Sequence, residues 1–335
     1  MTRVGPKNAL TDVSGLLVGA AHDARARTGV TVILAEKPAV AAVEILGGGP
    51  GTRETDVLRA GNLVDAVDAI VLAGGSVYGL AAADAVVAAL GAQGRGFQLR
   101  DMAGVPRSPI APGAILYDLA NGGAKDWGDA PPYAALGRAA LAAAGGDVAL
   151  GNAGAGYGAL AGALKGGQGS ASAVTDDGAI VGALACVNSF GSVTMPNSRA
   201  FWAWPYEMGG EFGGVAPAGP IALDDVRGTK LSPQPRANTT IAVVATNIAF
   251  TQAEMQRVAQ MAAAGLARAI RPVFAPFDGD VVFALSTGAA QPSGPRALAL
   301  SQIGALAADC LARAVARGVY AAESLGQARA WRDAT

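Results

Sequence analysis

Arg236-Ala237-Asn238-Thr239-Thr240-Ile241-Ala242-Val243-Val244-Ala245-Thr246-Asn247 is the stretch on which the organisation of this chain turns. A polar run carrying Pro233 and Pro235 stops at Asn238. An apolar run starts at once, with Thr239 as its first residue, and its composition predicts a strand over Thr240–Thr246. Taken alone, Asn238-Thr239-Thr240 is a common tripeptide: a strand entrance, or the spacing of a glycosylation sequon. Downstream the pattern is regular. Thr251-Gln252-Ala253-Glu254 is a capping box opening a helix to about Ile270. Met255, Val258, Ala262, Leu266 and Ile270 carry its apolar face at three- and four-residue steps. Pro276-Phe277-Asp278-Gly279-Asp280 is a turn before strand Val281–Ser286, and a long helix runs from about Arg296 to Glu323. From Thr239 the order is therefore β-α-β-α, and its two strands can pair in one sheet. Residues 207–237, with Gly209–Gly214 and Asp225–Arg236, read as a flexible, exposed linker, ordinarily a domain boundary.

Upstream, Leu16–Gly19 and Gly29–Leu34 flank the polar Asp23–Arg27, a hairpin pattern. Val40–Leu46 reads as a third strand. It leads into the glycine cluster Gly47–Asp56, which is either a tight turn or backbone packed beside an active site. It is no P-loop, because no Gly-Lys-Ser/Thr follows. Asp68–Ala73 is a buried strand. Gly74-Gly75-Ser76-Val77-Tyr78-Gly79 and a helix from about Leu80 to Leu90 follow, which places Tyr78 at a helix entrance, as packing residue or cleft phenol. Asn121–Tyr133 is a loop and Ala134–Ala144 a helix. Gly154-x-Gly156 lacks the third glycine and the acidic residue of a dinucleotide site. Lys165–Ser172 opens a second hairpin through Asp176-Asp177-Gly178 to Ala179–Val187, with Asn188 at the strand's end. Phe201–Tyr206 is an aromatic cluster, either local core or pocket wall.

Composition excludes several classes. Of 335 residues, 25 are Lys or Arg and 26 Asp or Glu, for a net charge of −1, so nothing points to nucleic acid. No continuous apolar run approaches the roughly 18–20 residues of a spanning helix, and no membrane partner is expected. The opening Met-Thr-Arg-Val-Gly-Pro-Lys-Asn has no apolar signal-peptide core, so a cytoplasmic location is expected. Cys186 and Cys310 sit in apolar contexts, as buried reduced thiols would. The single histidine, His22, lies at an early strand end and suits a structural or solvated role. A His-rich metal site is excluded, and neither metal nor cofactor is expected.

With one histidine, a hydroxyl nucleophile needs another base. A terminal α-amine, with a pKa of about 7.7–8.0, is one. On an amino-terminal Thr, base and nucleophile belong to one residue. Cleavage of Asn238–Thr239 would create that residue, through attack of Thr239 Oγ1 on the Asn238 carbonyl, an N→O acyl shift and hydrolysis. Asp278 and Asp280 could orient a hydroxyl or hold an ammonium. They could equally form a solvated turn or a cation site.

Several motifs, in order, resemble the DmpA/NylC-type self-processing amide hydrolases, which include L-aminopeptidase/D-amidases, β-peptidyl aminopeptidases and nylon-oligomer (6-aminohexanoate) endohydrolases. They are Gly48–Asp56, Gly74–Leu80, Asn121–Tyr133, Lys165–Ser172, Val187-Asn188-Ser189-Phe190-Gly191, Asn238–Ile241 and Phe277–Asp280. The resemblance covers essentially the whole chain. It implies a single-domain α/β fold, the four-layer α/β/β/α sandwich of the N-terminal-nucleophile type, cleaved into an α chain (1–238) and a β chain (239–335). It implies Thr239 as nucleophile, Tyr78 and Asn188 near the oxyanion, and Asp278 and Asp280 beside Thr239, aiding cleavage and binding the substrate's amine. It also implies a peptide or oligoamide substrate and a homotetramer of αβ units. The aminopeptidase branch carries Ser as nucleophile with a later Ser and Glu, so Thr with two Asp is closer to the nylon-hydrolase branch. Relatives have a lysine soon after the Gly-Ala-Gly motif. Here the segment is shorter, and Ala163-Leu164-Lys165 makes Lys165 the candidate. Two alternatives stand beside this: an acyltransferase of the ornithine acetyltransferase type, whose Ala-Thr-Met-Leu signature is absent, and an unprocessed ligand-binding or scaffold protein.

Overall fold

The computed structural model describes residues 2–100, 102–217, 219, 228–230 and 238–334. Arg236, Ala237 and most of the expected linker Asp225–Arg236 lie outside the described residues. Eight strands and four helices build the frame. They are β1 (Leu16–Asp23), β2 (Thr28–Ile45), β3 (Ala66–Ala73), α1 (Ala81–Ala92), β4 (Gly113–Ile115), α2 (Tyr133–Ala142), β5 (Gly167–Val174), β6 (Ile180–Asn188), β7 (Thr239–Ile248), α3 (Gln252–Ala269), β8 (Val281–Ala290) and α4 (Arg296–Tyr320).

Hydrogen bonding runs in the order β5-β6-β7-β8-β2-β3-β4, with β1 also on β2. β2 turns this continuous ladder into two stacked layers. Its first half pairs with β1 and β3 and its second with β8, with a register break between Leu34 and Ala39. Side-chain parity then assigns the layers. Ile241, Val243, Phe283, Leu184, Ile33, Ile70 and Leu72 share one core between the two half-sheets. Val244, Ala242, Val282 and Ala183 face α3 and α4. Val30, Val32 and Val71 face α1 and α2. The layers run α/β/β/α, the expected sandwich. Every residue of β7 is buried, and a strand covered on both faces needs this continuous apolar composition rather than alternation.

Two expectations need correction and one open alternative is resolved. Val40–Leu46 is no separate strand but the far half of β2; the polar Glu36-Lys37-Pro38 that breaks the pattern is the exposed register break. Gly209–Gly214 has exposed glycines, as expected, but it is anchored to the core rather than a free linker. Phe212 is buried edge-on against Phe201, and Glu211 pairs with buried Arg313 at 2.6 Å, while positive φ angles at the glycines shape a tight turn around them. The cluster around Phe201 is core rather than pocket wall, its ring stacked on Trp331. The helix α4 is long and apolar enough, by composition, to cross a membrane. Here it covers the half-sheet of β5 and β6, with Ile303, Leu311, Val315 and Val319 buried beneath it. Cys186 and Cys310 are buried free thiols, both pushed up to about 12 by burial.

Candidate active site

Strand order brings the chemistry to one sheet edge. β8 is parallel to β7, so the chain crossing through α3 returns to the end where β7 began. The turn before β8, Asp278-Gly279-Asp280, therefore lies beside Thr239. β6 is antiparallel to β7 on its other side, and its last residue, Asn188, is the register partner of Thr239.

Thr239 and Asn238 are buried. Thr239 Oγ1 lies 2.5 Å from the carbonyl oxygen of Asn238. A C=O bond is about 1.23 Å long, so the carbonyl carbon is within about 3.7 Å of that hydroxyl. The Gly279 N–H donates to the same carbonyl oxygen at 2.8 Å, and the Asn238 N–H donates to Phe277 O at 3.3 Å. A Cβ on Gly279 would sit 2.7 Å from Thr239 Oγ1 and 2.8 Å from Gly49 O. Only glycine lets the turn approach the hydroxyl this closely.

Both aspartates are buried. Asp280 Oδ1 accepts the Thr240 N–H at 2.6 Å and Oδ2 the Phe274 N–H at 3.2 Å; Asp278 Oδ2 accepts the Ala275 N–H at 2.9 Å. Burial pushes Asp280 up to about 7, and the neighbouring Asp278 carboxylate adds to the rise. Burial raises Asp278 as well. The glycine cluster buttresses this turn. Gly49 N–H donates to Asp278 O at 2.7 Å and Leu46 N–H to Asp280 O at 3.0 Å. A Cβ on Gly47 or Gly48 would strike the turn's backbone at 2.2 or 2.3 Å. Of the two readings left open for Gly47–Asp56, packed backbone beside the site is the observed one.

Asn188 is fixed by its own neighbours. Its Oδ1 accepts from Leu160 N (2.9 Å), Asn121 Nδ2 (3.2 Å) and Lys230 Nζ (3.4 Å), and its Nδ2 donates to Tyr117 O (2.9 Å). Lys230 also donates to Asn188 O at 3.1 Å. Lys165 lies one strand away, at the entrance to β5. It is buried and donates to the carbonyls of Gly166 (2.7 Å) and Gly156 (3.3 Å); burial lowers it to about 7, against an opposing pull from Asp118. Tyr78 is half-exposed, edge-on to Trp127, and makes no hydrogen bond to Thr239 or Asn188 among the described residues. The fold thus brings together Asn238, Thr239, Asn188, Asp278 and Asp280, places Lys165 just before β5, the strand paired with β6, and leaves Tyr78 apart. Sequence reasoning missed Gly279 as a donor, Asn121 and Lys230. Asn121 opens a loop that carried no chemistry of its own, and Lys230 sits in a segment read as linker.

The profile of Peptidase family S58 matches residues 8–331. The chain belongs to peptidase family S58. It is 44% identical to an uncharacterized aminopeptidase of Mycobacterium bovis, across 97% of each chain. It is 31% identical to a 6-aminohexanoate-oligomer endohydrolase of Kocuria sp., across 82% of this chain and 74% of that one. Among solved structures, a Burkholderia sp. beta-aminopeptidase superposes with a TM-score of 0.71 at 26% identity, covering 98% of this chain and 94% of that one. The L-aminopeptidase D-Ala-esterase/amidase of Ochrobactrum anthropi, described as a variant of the Ntn-hydrolase fold, gives 0.71 at 24% identity, covering 98% and 91%, a likeness of fold alone. This S58 chain is an amide hydrolase on an Ntn-hydrolase-type fold, which decides between enzyme and scaffold in favour of the enzyme.

Proposed function

We propose that this S58 chain cuts its own Asn238–Thr239 bond and then uses Thr239 as an amino-terminal nucleophile. Its substrates are peptides with a free amino terminus, or ω-amino-acid oligoamides of the 6-aminohexanoate type. The observation that carries this reading is the Thr239 hydroxyl set 2.5 Å from the carbonyl oxygen of Asn238, with the Gly279 N–H on that same oxygen. In self-cleavage Oγ1 attacks the Asn238 carbonyl carbon, and the Gly279 N–H stabilises the oxyanion. The C–N bond breaks, the Thr239 nitrogen takes a proton, and an ester remains between Asn238 and Oγ1. Water cleaves the ester, leaving the Asn238 carboxylate and a free Thr239 amine. Asp278 and Asp280 flank the reacting hydroxyl and serve as proton acceptors in this step.

The freed amine then deprotonates Oγ1 for attack on a substrate amide. Asn188, held in register with Thr239, contributes to the oxyanion site, where a donor is worth roughly 3–4 kcal/mol. The carboxylates hold the substrate's ammonium. The family resemblance places Tyr78 near the oxyanion, and its exposed ring on Trp127 leaves it open to substrate; Lys165 is the candidate for the lysine that relatives carry after the Gly-Ala-Gly motif. The assembly proposed is a homotetramer of αβ units. Denaturing mass spectrometry tests the central step. Two fragments, 1–238 and 239–335, are expected from the wild-type chain and one intact chain from Thr239→Ala. A single chain in an active wild-type preparation, or full activity in Thr239→Ala, overturns it.

A further inference from the structure

We infer that the cleft on the Asn188 side of this centre is a carboxylate subsite, in which Arg27 selects substrates whose leaving part carries a free carboxylate. The inference rests on the amide-hydrolase reading above and adds a substrate class to it. The cleft has a volume of about 630 Å³, and its walls include Arg27, Asn121, Gly122, Leu160 and Gly326. Two of these, Asn121 and Leu160, are among the three donors to Asn188 Oδ1, so the cleft begins one side chain away from the register partner of Thr239.

Arg27 is built into it. Its backbone takes the left-handed conformation (φ 50°), uncommon for a long side chain. Its guanidinium lies against two glycines: a Cβ on Gly326 would fall 2.1 Å from Nη1, and one on Gly122 2.9 Å from it. Among the described residues this guanidinium has neither hydrogen-bond partner nor ion pair, although a planar five-donor fork ordinarily finds one. Among the described residues no carboxylate lines the cleft. The nearby cation Lys125 is tied to the Ala26 carbonyl, and the Asp23 carboxylate to the Ala26 N–H at 2.8 Å. Asp118, whose pKa burial raises, is satisfied by Thr28 at 2.6 Å and Gly75 N–H at 2.8 Å.

The order β6-β7-β8 then gives the centre a polarity. Asp278 and Asp280 flank Thr239 on the β8 side; Asn188 and, beyond it, Arg27 lie on the β6 side. A short amino-acid oligomer is a zwitterion with the complementary polarity. Its ammonium faces the aspartates, the scissile amide sits at Thr239, and its terminal carboxylate meets the Arg27 fork.

Matched dimers of α-, β- and 6-amino acids, each as free acid and as terminal carboxamide, test this on wild-type, Arg27→Gln and Arg27→Lys chains. The wild type should favour the acid in kcat/KM by about tenfold or more, as a charge-assisted pair predicts. Arg27→Gln should lower that acid-to-amide ratio about tenfold, mainly through KM. Arg27→Lys should retain part of it, because a point charge lacks the fork. A purely structural Arg27 would lower both members of a pair alike and leave the ratio intact, and that result, or a wild type indifferent to the carboxylate, overturns the inference. If no dimer is hydrolysed, the substrate reading fails instead. Calorimetric titration of the free-acid dimers against wild-type and Arg27→Gln chains then decides the subsite: absent or Arg27-independent binding overturns it.

Discussion

Gly279→Ala isolates the proposed oxyanion donor of self-cleavage. The added methyl carbon would lie 2.7 Å from Thr239 Oγ1 and 2.8 Å from Gly49 O, where contacts of this kind are optimal at roughly 3.5–4.0 Å. The turn must move by most of an ångström, and the Gly279 N–H leaves the Asn238 carbonyl, which it now meets at 2.8 Å. Losing one such donor costs roughly 3–4 kcal/mol of transition-state stabilisation, or 10²–10³-fold in rate. A folded Gly279→Ala chain should therefore accumulate uncut and convert to two fragments 10²–10³ times more slowly than wild type, followed by denaturing mass spectrometry after synthesis. Gly49→Ala is the control in the same loop pair: its methyl would meet nothing closer than 3.7 Å, an ordinary contact, so it should be cut normally. Circular dichroism melts of both variants separate a slow reaction from a lost fold. A folded Gly279→Ala chain cut at the wild-type rate would refute the assignment of Gly279 as donor.

Self-cleavage should slow as pH falls through about 7, where Asp280 becomes protonated, and a pH-jump time course would show it. The same group has a signature in stability. Its folded pKa is raised, so between about 4 and 7 the folded chain holds a proton the unfolded chain releases, and stability falls as pH rises across that window. Asp280→Asn should flatten this slope in urea melts. Lys165 acts in a higher window: burial lowers it to about 7, so the folded chain binds fewer protons and stability rises with pH from about 7 toward the ordinary lysine value. Lys165→Met should remove that rise. Glu211→Ala should cost about 3–5 kcal/mol in a denaturant melt, because it strands the buried Arg313 guanidinium, now paired at 2.6 Å.

The segment from Thr239 onward was legible because its signals are local. The Thr251–Glu254 capping box is present in the fold, and the three- and four-residue apolar steps of α3 face the core as read. What escaped was set by distant partners. Pro38 and its charged neighbours read as a break between strands, yet a strand changing partners tolerates a missing N–H where neither partner needs one. Glu211 looked like linker because its glycines carry no packing signal, while its partner Arg313 lies 102 residues away. Asp278-Gly279-Asp280 alone was compatible with a solvated turn. Only the parallel return of β8 sets it beside Thr239, and parallel pairing is a tertiary fact. Arg27 read as one more polar residue of a hairpin turn, since its cleft is assembled from four separate stretches of chain.

The sheet also accounts for how, under the proposed self-cleavage, a strand could be cut at its first residue without losing its place. β7 has neighbours on both sides that the proposed cut would leave in place, all ten of its residues are buried, and its core partners come from both sides of position 238. The proposed fragment would be held by the sheet, not by the bond. The proposed cleavage would create an amine in a buried position, and an ammonium there would be costly alone. In the uncut chain, Asp278 and Asp280 bear the opposite penalty: two carboxyls raised by burial and, for Asp280, by the other's charge. A cation at Thr239 or on the substrate relieves both penalties at once, so the pair's pKa values should fall on processing. Under the proposed mechanism the electrostatic cost held in the precursor would become ammonium-binding free energy in the processed enzyme, so the same two carboxylates could serve first as proton acceptors and afterwards as the seat of the substrate's amine.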